Sequence, residues 1–315
     1  MTVPDIRARF PLERFVIMRV FITGASGWIG SAATAELLAA GHDVVGLARS
    51  DRSAAALTAA GAQVVRGDLD DPASLRAGAR DADAVLHLAF HHDFADFAAA
   101  GRTERAAVEA LGDELAGSGR ALLLASGLAG LGTGRLLTED DPSPFSGPDA
   151  PRGGAEALAV SFAERGIRPV AVRFAPTVHG AGDHGFTAEL ARVARARGVV
   201  GYAGDGGNRW AAVHRSDAAR VVRLAIEDET AGPVVHAVAE EGIPTRDIAA
   251  ALGDRLGLPV APVAPEDVDA HFGWIGRFFG SEVTASGART RERLAWTPTG
   301  PTLVEDIAAG HYDRP

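Results

Sequence analysis

Val20-Phe21-Ile22-Thr23-Gly24-Ala25-Ser26-Gly27-Trp28-Ile29-Gly30 is the stretch that decides how this chain is read. A run of β-branched and aromatic residues stops at a Gly-x-x-Gly-x-x-Gly series, and an alanine-rich helical pattern follows at once. Each glycine has its own physical job. Gly24 permits the tight turn out of the strand, Gly27 lets the backbone come close to a pyrophosphate, and Gly30 lets the helix lie against the sheet. Amides at the helix N-terminus then face the negative charge. Ser26, Trp28 and Ile29 fill the turn and count with Gly24 and Gly27 as candidate cofactor contacts.

Outward from this turn, short apolar runs at 19–23, 43–48, 63–66, 84–88, 121–125 and 169–174 alternate with helical patterns at 28–40, 52–60, 72–79, 94–115 and 151–165. That rhythm belongs to right-handed βαβ units, so the expected fold class is α/β, a Rossmann-like doubly wound parallel sheet. We expect an N-terminal extension at 1–17, a dinucleotide-binding domain at 18–176, and a smaller substrate-binding lobe at 177–315, partly interleaved with it. Helices of that lobe are expected at 186–197, 216–227, 245–256 and 301–309. The stretch 127–150, rich in Gly, Pro, Ser and acids, breaks the rhythm and reads as a rim or lid. Met18, directly before the first strand, is compatible with a second translation start.

The 315 residues include no cysteine, which excludes disulfides, thiol nucleophiles and thiolate metal sites and fits a cytoplasmic location. A net charge of -10 argues against nucleic acid as a partner. No run approaches the roughly 20 apolar residues that cross a bilayer, so no membrane partner is expected. Lysine is absent as well, and all 31 basic side chains are arginine.

The second strand ends in Leu47-Ala48-Arg49-Ser50, where a cofactor without a 2'-phosphate calls for an acid. Arg49 offers a charged fork and Ser50 a hydroxyl, which together favour NADP(H). Gly67-Asp68-Leu69 follows the third strand and places a carboxylate for the adenine amino group; His87-Leu88-Ala89-Phe90 ends the fourth. With Arg173-Phe174-Ala175-Pro176-Thr177-Val178-His179-Gly180, these motifs resemble an extended or atypical short-chain dehydrogenase/reductase across 19–296. The resemblance implies that Leu88, Ala89 and Phe90 lie beside the ribose, and that Pro176, Thr177 and Val178 line the nicotinamide end. It also allows a homodimer through the helices after strands four and five, though these are charged enough to leave a monomer open.

Ser126 resembles the catalytic serine of that family, but the family's Tyr-x-x-x-Lys pair cannot exist here. At its expected place stand Arg152-Gly153-Gly154-Ala155-Glu156, whose charged residues are spaced for an i,i+4 ion pair on a helix. Arginine stabilises an oxyanion but donates no proton at neutral pH. The proton is left to water, His91, His179, Ser126 or an acidic hydroxyl of the substrate itself, which favours aromatic or quinone-like substrates. Trp210 either stacks on a planar substrate or plugs the seam between lobes, and His87 reads as a core histidine. No metal is expected, because His91-His92-Asp93 and His179 with Asp183-His184 match no familiar ligand spacing. The activity expected is that of an NADPH-dependent ketoreductase acting on a small molecule, similar to reductases of angucycline-type aromatic polyketides in antibiotic pathways. A non-catalytic NADP-binding sensor and an epimerase or dehydratase are the alternatives.

Overall fold

The structure, a computed structural model, describes residues 16–91, 96–132 and 134–313. Most of the expected extension, together with His92, Asp93 and Phe94, lies outside them. Strands β1 (Arg19–Thr23), β2 (Asp43–Ala48), β3 (Gln63–Arg66), β4 (Ala84–His87), β5 (Ala121–Gly127) and β6 (Arg168–Phe174) stand where the apolar runs predict them. They are followed by β7 (Thr177–His179), β8 (Val200–Ala203), β9 (Arg209–His214), β10 (Val234–Ala237), β11 (Glu240–Pro244) and β12 (Val260–Val263).

Seven strands form one sheet in the order β10-β6-β5-β4-β1-β2-β3, all pairs parallel. The chain winds from β1 outward to β3, then returns to β4 and builds the other way. The order therefore reverses between β1 and β4, where Thr23 lies beside His87. In open α/β sheets the crevice beyond the carboxyl ends of the strands at such a point receives the ligand.

The seventh strand was not anticipated. β10 is four residues long, and it follows the helix Arg215–Glu227, which the sequence assigns to the smaller lobe. That helix packs on Trp28–Ala39, with Arg223 donating to Glu36, so both belong to the large layer structure. Segment 215–237 thus adds a helix and a strand to the layers of the seven-stranded sheet.

The rest of the second half makes a three-stranded sheet, β11-β9-β7, and a two-stranded one, β12-β8. Helices Phe186–Arg197 and Thr245–Leu256 flank them at the bounds read from the sequence. Between these elements Trp210, Phe272 and Phe279 are each no more than 3% exposed and form an aromatic core.

Two expected features are altered. The stretch 127–150 is docked onto the C-terminal part of the chain: Leu137 donates to the Thr284 carbonyl and accepts from Ser286. The expected helix over 151–165 is broken. Arg152, Gly153 and Gly154 have φ of 53°, 60° and 61°, and the α-helix proper runs only from Ala155 to Ser161. The bend lets this segment touch the helix Phe97–Leu115, where a Cβ on Gly153 would lie 2.4 Å from the Gly101 carbonyl.

Candidate active site

The glycine turn is shaped by close approach. Gly24 has φ of 70°, and a Cβ there would stand 2.7 Å from the Ala89 nitrogen; on Gly30 it would stand 2.0 Å from the Gly24 carbonyl oxygen. Only backbone fits between the end of β1, the start of the helix Trp28–Ala39 and the end of β4. Thr23 stitches the strand ends: its hydroxyl bonds His87 Nδ1 at 2.8 Å and accepts from the Ala89 amide at 3.4 Å. Burial, with a smaller contribution from Arg152, pushes the His87 pKa down to about 3, so this histidine is a neutral core residue. The indole of Trp28 donates to the Val178 carbonyl at 2.8 Å, and the Arg215 guanidinium lies 4.1 Å above its ring. One side chain thus clamps the glycine turn to the segment of Pro176, Thr177 and Val178.

This cradle fits a dinucleotide: the pyrophosphate approach is bare backbone, with exposed Ser26 and Gly27 at its mouth. Ile29 and Leu69 turn inward and pack in the core, so they support the turns from behind. Ser50 caps the following helix, its oxygen accepting from the Ser53 amide at 3.2 Å, which engages the hydroxyl offered for a phosphate. Arg49 is exposed and makes no hydrogen bond or ion pair with another described residue.

At the carboxyl ends of β5 and β6 lies the second cluster. The Ser126 hydroxyl donates to Glu156 Oε2 at 2.5 Å. The other oxygen, Glu156 Oε1, accepts from Arg173 Nε at 3.0 Å and Nη2 at 2.6 Å. Arg173 sits opposite Ser126 in the β5–β6 register and is 1% exposed; its Nη1 donates to the Asp141 carbonyl at 2.8 Å, tying 127–150 to the site. At the position of the family's lysine this chain carries a carboxylate, Glu156, backed by the Arg173 guanidinium. The role of Arg173 went unassigned in the sequence. An arginine inside the apolar run Val170-Ala171-Val172-Arg173-Phe174 was the available signal, since such a residue is seldom buried without a partner.

These contacts correct the expectations for Arg152 and His179 and show where His91 and Trp210 lie. Arg152 does not pair with Glu156: it forks onto Glu104, with Nε donating to Oε2 at 2.9 Å, and lies 4.6 Å over the Phe90 ring. Its left-handed backbone puts it outside the helix that carries Glu156, which cancels the i,i+4 geometry. His91 turns to Asp70 and Asp68, its Nε2 3.6 Å and 4.0 Å from their oxygens. His179 is fully buried, with Nδ1 2.5 Å from Asp306, and burial lowers its pKa. Trp210 is 1% exposed, donates to the Phe278 carbonyl and packs on Phe186 and Phe279, so it is buried within the second half of the chain and offers no ring to a substrate.

A family model described as the NAD dependent epimerase/dehydratase family matches residues 20–239. The chain belongs to that family. It is the extended short-chain class that the motifs resemble. Among curated relatives, an uncharacterized protein of Schizosaccharomyces pombe is 45% identical over 94% of this chain and 100% of its own length. The 2'-dehydrokanamycin reductase of Streptomyces kanamyceticus is 29% identical over 83% of this chain and 73% of its own. A 4-hydroxy-2-methyl-3-oxo-4-farnesyl-3,4-dihydroquinoline-1-oxide ketoreductase of Stigmatella aurantiaca is 32% identical over 55% and 54%. Of solved structures, MoeE5 in complex with UDP-glucose and NAD aligns with a TM-score of 0.71 and 25% identity, covering 93% of this chain and 97% of that one. Among the described residues, no helix is long and apolar enough to cross a membrane.

Proposed function

We propose that this protein is an NADP(H)-dependent ketoreductase acting on a small hydroxylated ketone. The observation that carries the reading is that the glycine cradle, after β1, and the Ser126–Glu156–Arg173 cluster, at the carboxyl ends of β5 and β6, lie on the same edge of one parallel sheet. Preference for the phosphorylated dinucleotide is supported by Arg49, a planar cation with no partner of its own. The substrate class is supported by the two relatives named as a reductase and a ketoreductase, one of a hydroxylated oxo compound. Aromatic polyketides belong to this class.

In this reading Gly24, Gly27 and the first helical amides hold the pyrophosphate, Arg49 the 2'-phosphate, Asp68 the adenine, and the clamped segment 176–178 the nicotinamide end. When bound, the nicotinamide supplies the two-electron transfer. Arg152 is a permanently charged anchor for Glu104 and gives no proton. His179 is sealed from the crevice, so the proton comes from solvent or from a substrate hydroxyl at Ser126. The test is NADPH oxidation against hydroxylated quinones and aromatic ketones, each beside its O-methylated counterpart. Turnover of the hydroxylated compounds, at least about tenfold faster with NADPH than with NADH, is expected. Tight NADPH binding with no turnover on any of them would instead mark a non-catalytic sensor.

A further inference from the structure

We infer that Ser126 is locked as a hydrogen-bond acceptor and selects ligands that present a hydroxyl to it, with Glu156 as the positioning residue that sets this polarity. The inference deepens the proposed function and rests on it. A serine hydroxyl has one hydrogen and two lone pairs, whereas an ionised carboxylate can only accept. Arg173, buried and unable to accept, places two N–H groups on Glu156 Oε1 and occupies that oxygen as an acceptor. The remaining oxygen, Oε2, takes the hydrogen of Ser126. No described residue donates to Ser126 Oγ, so any further bond at that oxygen must be donated by the ligand.

This reverses the usual expectation for a serine beside a reacting carbonyl, which is to donate. A ligand hydroxyl suits the site; a carbonyl or ether oxygen at the same place meets two lone pairs. A proton leaving such a hydroxyl also has a path without any tyrosine. It passes to Ser126 Oγ while the serine's own proton passes to Glu156 Oε2, leaving a neutral carboxyl group; run in reverse, in the direction of reduction, the same relay returns that proton to the substrate oxygen. Charge and protons balance within that step.

Glu156→Gln switches the polarity. The amide oxygen is drawn to the Arg173 N–H groups, the amide nitrogen then donates to Ser126, and the serine hydrogen is released toward the ligand. The test uses two redox-inert probes, β-naphthol and its methyl ether, titrated calorimetrically into the NADPH complex of the full chain. The native protein should bind the naphthol at least about tenfold more tightly than the ether. In Ser126→Ala and in Glu156→Gln that preference should fall below about threefold, and in Ser126→Thr, which keeps the hydroxyl, it should persist. Both serine variants leave the Glu156–Arg173 pair intact, so they report even if Glu156→Gln fails to fold. Equal binding of the two probes by the native protein, binding of neither, or an undiminished preference in Ser126→Ala would overturn the inference while the NADP(H) reading stands. Failure of NADPH itself to bind would overturn the proposed function beneath it.

Discussion

Replacing Arg152 by alanine separates an anchoring role from a catalytic one. Glu104 is 1% exposed, and its two oxygens face the Arg152 fork alone among the described arginines. Removing the arginine leaves a buried carboxylate with no counter-charge, a change that costs about 3–5 kcal/mol in buried pairs. The Arg152 side chain is 28% exposed, which places this pair near the lower figure. Alanine inherits the same left-handed φ, so backbone strain largely cancels. At about 2–4 °C per kcal/mol, the melting temperature should fall by about 6–12 °C. Its pH dependence carries the second half of the reasoning. Burial raises the Glu104 pKa above its reference of 4.5, and Arg152 opposes that rise. The folded protein therefore holds a proton that the unfolded chain has lost, and stability falls as pH climbs from 4.5 through the folded value. Without Arg152 the folded value moves higher, so the variant should lose more stability by about pH 8 than at about pH 5. Calorimetric melts across that range, with Glu104→Gln/Arg152→Met as the neutral replacement of both partners, measure it. A melting temperature within about 2 °C of native, with an unchanged pH slope, would refute the anchoring role.

Three further outcomes follow from the same geometry. Arg49→Ala should weaken NADPH binding about 10–100-fold while changing NADH affinity by less than about threefold, as read by fluorescence titration. Gly30→Ala should lower the melting temperature and abolish dinucleotide binding. Its Cβ would stand 2.0 Å from the Gly24 carbonyl, a clash that outweighs the roughly 1 kcal/mol alanine gains in a helix. His87, held at about 3 against a reference of 6.5, binds fewer protons folded than unfolded between those values. Stability should therefore drop as pH falls through that window, with a limiting slope of about 1.4 kcal/mol per pH unit, and His87→Gln should flatten that limb in acid-denaturation curves.

Local signals were strong in the first half of the chain. The six expected strands are found because a buried parallel strand must be apolar and its neighbours must be helices, and both requirements leave periodic marks. The glycine turn was equally legible, since a backbone that must touch another backbone tolerates no side chain. β10 escaped because four residues carry little periodicity, and its place in the sheet depends on pairing with β6 across the stretch 175–233. Trp210 was open to a stacking role, and only the covering of its ring excluded it.

The sequence alone determined that no tyrosine–lysine pair can operate and that the chain carries a dinucleotide-type turn, because residue identity and short-range spacing suffice for both. Which charges meet was decided by tertiary structure. Arg152 and Glu156 are four residues apart, yet three left-handed residues turn one toward Glu104 and leave the other to Ser126 and Arg173. Helical spacing predicts a contact only while the helix continues, and the close packing that breaks this one comes from a segment some fifty residues away.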